Sequence, residues 1–340
     1  MASLAFLFGM IPGTDKVEGA DDQLRADYAA FQAYEKSDEL KHFLELEAEV
    51  TSSDFAIRKK KIPKAEYKDS DEYKKLEEYQ VLKKSEKVVW YFKTKKKNPF
   101  KEIAKWEETF NESFTGSALD TKRWMTRYFW GDAILDEAYT MSDDKSFPTD
   151  GKNIEFYDNK LRLVTKHQEI EGKKWNPTHG FLQDSFEYTS ALISSGKSFR
   201  QKFGIFKAKI KMSATDMTQA FWMVSDSVVP HIDVAKFEKG KLYSNYFWSS
   251  RAGQEPSKSI SKTGGSRYTG DFYIFSLEWS PSKLVWKIND KVFKTQSSGV
   301  PQEEMYMVFS AGLKTWASDN GLPAAMEIDW IRVYKLKGQG

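Results

Sequence analysis

Three side chains within six residues could do chemistry together. They are His231, Asp233 and Lys236 in Pro230-His231-Ile232-Asp233-Val234-Ala235-Lys236, and Glu238 follows two residues on. Proton transfer at a sugar linkage needs two carboxyl groups, about 5–5.5 Å apart in a retaining mechanism and about 6.5–9.5 Å apart in an inverting one. Asp233 and Glu238 are the carboxylates at hand. At about 3.3 Å per residue they stand on the order of 13 Å or more apart along the strand. A neutral imidazole can in principle attack an anomeric carbon, but it brings neither a second oxygen nor a negative charge. Lysine, with an unperturbed pKa of ~10.4, holds its proton too tightly to act as an acid near neutrality. The bland alternative is charge pairing, with Asp233 as partner to the cations on either side of it. Other chemistries find no support. The chain has no cysteine, so disulfides and thiolate metal sites are excluded. His42, His167, His179 and His231 do not make a metal spacing. Gly264-Gly265-Ser266 lacks the lysine and helix of a phosphate loop.

The elements that must position these groups fall into two compositional regions. The chain has 340 residues, 40% hydrophobic and 15% aromatic, which suffices for two domains and a sizeable core. Its net charge of +3 gives no reason to expect nucleic acid as a partner. Ala2–Pro12 is apolar, with no basic residue before it and too short to span a bilayer. Residues 1–22 read as a flexible apolar tail, free or docking on a partner. No signal peptide is evident, and the compartment stays open. Residues 23–105 read as a helical, repeat-like region. Ser37-Asp38-Glu39-Leu40-Lys41 recurs as Ser70-Asp71-Glu72-Tyr73-Lys74, and Ser53-Asp54 and Ser85-Glu86 fall between and after them. A serine N-cap followed by an acid suits a helix start. The reading is four short helices beginning near Ser37, Ser53, Ser70 and Ser85, preceded by one over Gln23–Glu35. Charge is polarised here: residues 1–57 hold 4 basic and 12 acidic residues, residues 58–105 hold 17 basic and 8 acidic. Either the helix faces attract each other, or they form a docking surface for a protein partner.

From about Trp106 to residue 336 the pattern becomes β. Alternating runs at Lys160–Lys166, Gly204–Lys211, Phe272–Trp279, Lys283–Ile288 and Glu327–Tyr334 lie between turn residues, as in an antiparallel sandwich. Ile288-Asn289-Asp290-Lys291-Val292 reads as a hairpin turn.

The order of these strands carries a resemblance. Phe114-Thr115-Gly116 with Leu119-Asp120 and Trp124 comes first. Phe203-Gly204-Ile205-Phe206-Lys207-Ala208-Lys209-Ile210-Lys211, Ala220-Phe221-Trp222-Met223, the His231–Lys236 strand and Glu327-Ile328-Asp329-Trp330-Ile331-Arg332-Val333-Tyr334 follow. In this order they resemble glycoside hydrolase family 16, the laminarinase, lichenase and agarase group. The resemblance implies a mainly β fold, a concanavalin A-like jelly-roll sandwich whose cleft takes a linear glycan. It also implies that a β-bulge brings positions 231, 233 and 236 to one face. Family catalysis would need glutamates at positions 231 and 236, where this chain has His231 and Lys236. Asp233 matches the family's middle aspartate. Trp222, Trp316, Trp248, Trp124, Tyr246 and Arg251 are candidate carbohydrate-binding residues, joined by Glu238 as the next inward position. Each ring has a core alternative. Lys207, where the family strand usually has an acid, suggests a more basic cleft and an acidic or sulfated glycan. Asp329 matches a position that sometimes helps to hold a structural calcium.

Three functions stay open. One is a catalytically degenerate module that binds a glycan within a larger assembly. The second is an active β-glycan endo-hydrolase with displaced catalytic residues. The third is a structural subunit of a cell-surface or virion complex that reuses the fold.

Overall fold

The computed structural model describes residues 11–249 and 255–338. Two compact units form. One is Glu18–Trp106; the other is Glu107 onward together with the chain up to Val17.

The helical unit is built on repeated serine caps. Helices α1 (Thr14–Glu35), α2 (Asp38–Val50), α3 (Ser53–Lys61), α4 (Asp71–Lys83) and α5 (Glu86–Lys97) follow in order. Ser37, Ser52, Ser70 and Ser85 each accept a hydrogen bond from the backbone N–H three residues on, at 3.1–3.4 Å. The second cap is thus Ser52, one residue before the expected Ser53. Substituting such a cap by alanine costs about 1 kcal/mol. Leu40, Phe43, Leu46, Tyr79, Val88 and Tyr91 are buried together as the unit's core. The charge polarity is used inside the unit: Glu49 meets Lys75 and Arg58, Glu39 meets Lys87, and Glu35 meets Lys95. The flexible tail over 1–22 needs correction, because the chain is helical from Thr14. Thr14 Oγ1 donates to Phe272 O, and Asn289 Nδ2 donates to Pro12 O, both within the β unit, to which the chain up to Val17 belongs. Residues 2–10 of the apolar run lie outside the described residues. No helix among the described residues is long and apolar enough to cross a membrane.

The β unit contains β1 (Trp106–Glu112), β2 (Tyr139–Thr140), β3 (Ser146–Pro148), β4 (Ile154–Tyr157), β5 (Lys160–Asn176), β6 (Gly180–Ser194), β7 (Gly204–Lys211) and β8 (Thr218–Val224). It continues with β9 (His231–Glu238), β10 (Lys241–Trp248), β11 (Ser257–Gly264), β12 (Phe272–Ser280), β13 (Lys283–Ile288), β14 (Lys291–Gln296), β15 (Tyr306–Gly312) and β16 (Ala324–Leu336). A short helix, α6 (Phe129–Leu135), precedes β2. The hydrogen-bonded order is β11-β10-β9-β8-β15-β6, then β5-β16-β7-β12-β13-β14. These two runs are a front and a back sheet joined through the long β5–β6 hairpin, and one apolar core takes side chains from both. The expected hairpin at Asn289-Asp290 joins β13 to β14, with both residues at positive φ (46° and 60°), as a tight two-residue turn requires.

Aromatic packing sets the core. Phe221 of β8 stacks on Phe309 of β15 at 4.5 Å, and Trp124 meets Phe309 edge-on at 6.1 Å. From the back sheet, Trp286 Nε1 reaches through the core and donates to the backbone carbonyl of Asp233 at 3.0 Å. Gly204 opens β7 at φ 118°, where a Cβ would lie 2.1 Å from Tyr334 O and 2.5 Å from Gln201 Nε2. Gly204→Ala is expected to cost about 3 kcal/mol or more from strain and clash. Gly180 also has positive φ (76°) but open space around it, so Gly180→Ala is expected to cost only about 1 kcal/mol. Thermal melts of the two variants check this: equal losses would mean that the close approach at Gly204 does not matter.

Candidate glycan-binding cleft

The cleft strand is β9, and its phase changes in the middle. Trp222 pairs with Asp233 but Phe221 pairs with Ala235, so Val234 is an extra, bulged residue. Ile232, Val234, Ala235 and Phe237 enter the core. His231 and Asp233 before the bulge, and Lys236 and Glu238 after it, therefore share the opposite face. The bulge takes up one of the five steps between Asp233 and Glu238, which leaves about 13 Å along the strand. Glu238 is not part of the cavity lining; it pairs with Lys236 Nζ at 2.9 Å and accepts from Thr218 Oγ1 at 3.4 Å.

Asp233 is only 4% exposed and has both oxygens bonded. His231 Nε2 lies 2.9 Å from Oδ1, and Asn245 Nδ2 donates to Oδ2 at 2.8 Å. Burial alone would raise this carboxyl's pKa. The charge and hydrogen bond of His231, the Lys236 charge and the Asn245 amide together outweigh burial and hold it below the usual range. The His231 ring stacks on Trp222 at 4.9 Å and meets the edge of Phe247 at 5.8 Å. Trp222 in turn donates from Nε1 to Ser310 Oγ at 3.2 Å.

These groups line a cavity of about 270 Å³ with Tyr128, Trp130, Asp144 and Lys314. Asp144 is a second carboxylate in the cleft, and the sequence reading missed it. It accepts from Thr140 Oγ1 at 2.8 Å and from the Met141 N–H at 2.9 Å, and pairs with Lys314 Nζ at 2.7 Å. Burial would lower the Lys314 pKa, but Asp144 and Asp143 hold it above the usual value. Burial, reinforced by the Asp144 charge, pushes the Tyr128 phenol well up, so it stays a neutral hydrogen-bonding group. Tyr128-Phe129-Trp130, three consecutive aromatics outside any alternating run, was the available signal for this wall.

The other expected site residues are dispersed. Trp124 is 2% exposed inside the core, so it is no sugar platform. Tyr246 is fully buried and donates its hydroxyl to Gly299 O. Trp248 stacks on Tyr246 at 4.8 Å and packs against the core, away from the cavity lining. Trp316 is exposed on the loop after β15, with Lys239 Nζ 4.4 Å from its ring centre. Arg251 lies outside the described residues. Lys207 belongs to the back sheet: Phe206, Ala208 and Ile210 face the core, so Lys207 faces outward, toward Asp290 at 3.4 Å. Lys207 therefore adds no positive charge to the cleft, contrary to the expectation of a more basic one. Asp329, also on the back sheet, is paired with Lys209 Nζ at 2.8 Å. No group of three or more His, Asp or Glu that could hold a metal ion occurs among the described residues.

The cleft thus offers aromatic walls and fixed hydrogen-bonding groups of both senses, which suits a polyhydroxylated chain. The glucan endo-1,3-beta-glucosidase A1 of Niallia circulans is 25% identical over 279 residues, 68% of this chain and 37% of that protein. The clotting factor G alpha subunit of Tachypleus tridentatus is 24% identical over 176 residues, 45% of this chain and 26% of that protein. The chain therefore spans well under two thirds of both relatives. Among solved structures, the laminarinase catalytic domain of Thermotoga petrophila superposes with a TM-score of 0.53 at 18% identity, covering 68% of this chain and 98% of that one. The endo-beta-1,3-glucanase of Pyrococcus furiosus gives 0.54 at 19% identity, covering 68% and 95%. At such identities the superpositions show the shared jelly-roll fold. The sequence model of glycosyl hydrolases family 16 matches residues 141–332, more than half of the chain, and this protein belongs to that family.

Proposed function

We propose that the cleft holds a β-glucan chain containing 1,3 linkages and does not cleave it by the two-carboxylate route. One observation carries this reading. The inward face of the bulged strand presents His231, Asp233, Lys236 and Glu238, and these groups engage each other in two pairs, at 2.9 Å each. A double displacement needs one carboxylate free to attack and one carboxyl group free to give a proton. Asp233 is ionised with both oxygens engaged, and Glu238 is held by Lys236. The glucan class rests on the relatives, whose names specify endo-1,3-beta-glucosidase and endo-1,3-1,4-beta-glycanase. Attachment to a protein partner through the helical unit belongs to the same reading. It is supported by Ile57, Val81, Val89 and Phe92, which stay exposed on helices that already have a core.

Calorimetry with laminarin, run beside a reducing-end assay, tests the proposal. The expected result is saturable binding with no release of reducing ends. Trp130→Ala, which removes an aromatic wall, should weaken binding about tenfold. Release of oligosaccharides that Asp233→Ala abolishes would replace this reading with a hydrolase using displaced carboxylates. Asp144, which lines the same cleft, favours that second reading.

A further inference from the structure

The outer half of the β5–β6 hairpin extends beyond the sandwich. From Lys166 to Asn176 β5 pairs with β6, and among the described residues the other strand partners of this outer part are the short strands β2 and β3. It is nevertheless firmly built. Ala138, Phe147 and Phe186 make a small core of their own with Ile170 packed on it, and Gly172 lets Phe147 approach to where a Cβ would be 2.2 Å away. The turn is fixed by Asn176 Oδ1, which accepts from the N–H groups of Thr178 and His179 at 2.8 and 3.0 Å.

Near the tip, Trp175 and Phe181 sit opposite each other across the ladder with ring centres 5.0 Å apart, and Trp175 is 38% exposed. An unbroken row of rings joins them to the cleft. Phe181 meets Tyr139 edge-on at 4.9 Å, Tyr139 meets Tyr128 at 5.4 Å, and Tyr128 meets Trp222 at 6.3 Å. Burial pushes the Tyr139 phenol up to about 12, so this backing carries no charge near neutrality. This places an exposed indole on a hairpin whose rings run on from the wall of the cleft, and a flat ring face is a surface on which a pyranose can stack.

We propose that Trp175 and Phe181 form a second glycan platform, which stacks on the pyranose faces of the same β-glucan chain after it leaves the cleft. The inference rests on the cleft reading given above. The row of packed rings joins the platform to Trp222, so a chain long enough to reach both gains contacts without ordering new protein surface.

The test compares full-length laminarin with a short laminari-oligosaccharide that the cleft alone accommodates, for the parent chain, Trp175→Ala and Trp175→Phe. Trp175→Ala should bind laminarin about three- to tenfold more weakly and the short oligosaccharide unchanged, with Trp175→Phe recovering most of the loss. Equal laminarin affinity in the parent and Trp175→Ala overturns the platform and leaves the cleft reading standing. Equal losses on both ligands overturn it too, because the effect would then lie in the cleft. A parent chain that binds neither ligand removes both readings. Melting temperatures of the two variants matching the parent exclude a folding artefact.

Discussion

At pH 7 the Asp233→Leu protein is expected to be about 3 kcal/mol less stable than the parent chain in urea unfolding. The substitution removes a buried charge and leaves two donors behind, His231 Nε2 and Asn245 Nδ2, which both point at the missing carboxylate. The His231 side chain keeps 25% of its surface in solvent, so part of its hydration returns and the loss sits at the low end for a broken buried pair. Asp233→Asn keeps an acceptor and should lose only about 1–2 kcal/mol. The two variants also separate a pH effect. Asp233 binds its proton more weakly in the folded protein than in the unfolded chain. Its contribution is therefore complete above the unfolded pKa of about 3.9 and disappears as the pH falls through the lower folded value. Asp233→Asn should show a flatter loss of stability below about pH 4 than the parent does. Carboxylates such as Asp158 and Asp319, also held low, contribute equally to both proteins and cancel in the difference. Superimposable acid limbs would mean that Asp233 is not an ionised partner of His231.

The double variant His231→Glu with Lys236→Glu is expected to gain laminarin hydrolysis, at least about 10²-fold above the parent background, while each single variant stays inert. The bulge at Val234 keeps both positions on the face that lines the cavity, so two long carboxylate side chains would flank Asp233 there. Replacing Lys236 also takes the cation away from Glu238 and sets a new acid beside it. Like charges at that distance raise the pKa of one member of the pair, and a raised pKa is what a proton donor at a leaving oxygen needs. A folded double variant that still binds glucan and releases no reducing ends would show that these two positions do not decide activity.

The sequence reveals the local features of this molecule well. The serine caps of the helices are legible because a cap needs only a hydroxyl and a backbone N–H three residues away. The alternation in Gly204–Lys211 likewise puts Phe206, Ala208 and Ile210 on one face and three lysines on the other. It does not say which sheet the strand joins, and so Lys207 could be taken for a cleft residue when it faces outward on the back sheet. Rings pose the same difficulty. Trp124 stands among Lys122, Arg123 and Thr126 and is core, whereas Trp222, inside the apolar run Ala220–Val224, is cleft floor, so the neighbours along the chain do not tell the two apart. Asp144 was out of reach for another reason. Its partner Lys314 is 170 residues away, and only the bridge between the two segments brings them together.

The hydrogen bond from Trp286 to the carbonyl of Asp233 bears on how this fold tolerates change. It anchors the cleft strand from behind, through its backbone and from the opposite sheet, so no side chain on the cleft face takes part. The residues that decide what the cleft does are therefore different from the residues that decide where the strand lies. Substitutions at positions 231 and 236 leave that anchor untouched, so a change in what the cleft binds need not displace the strand that lines it.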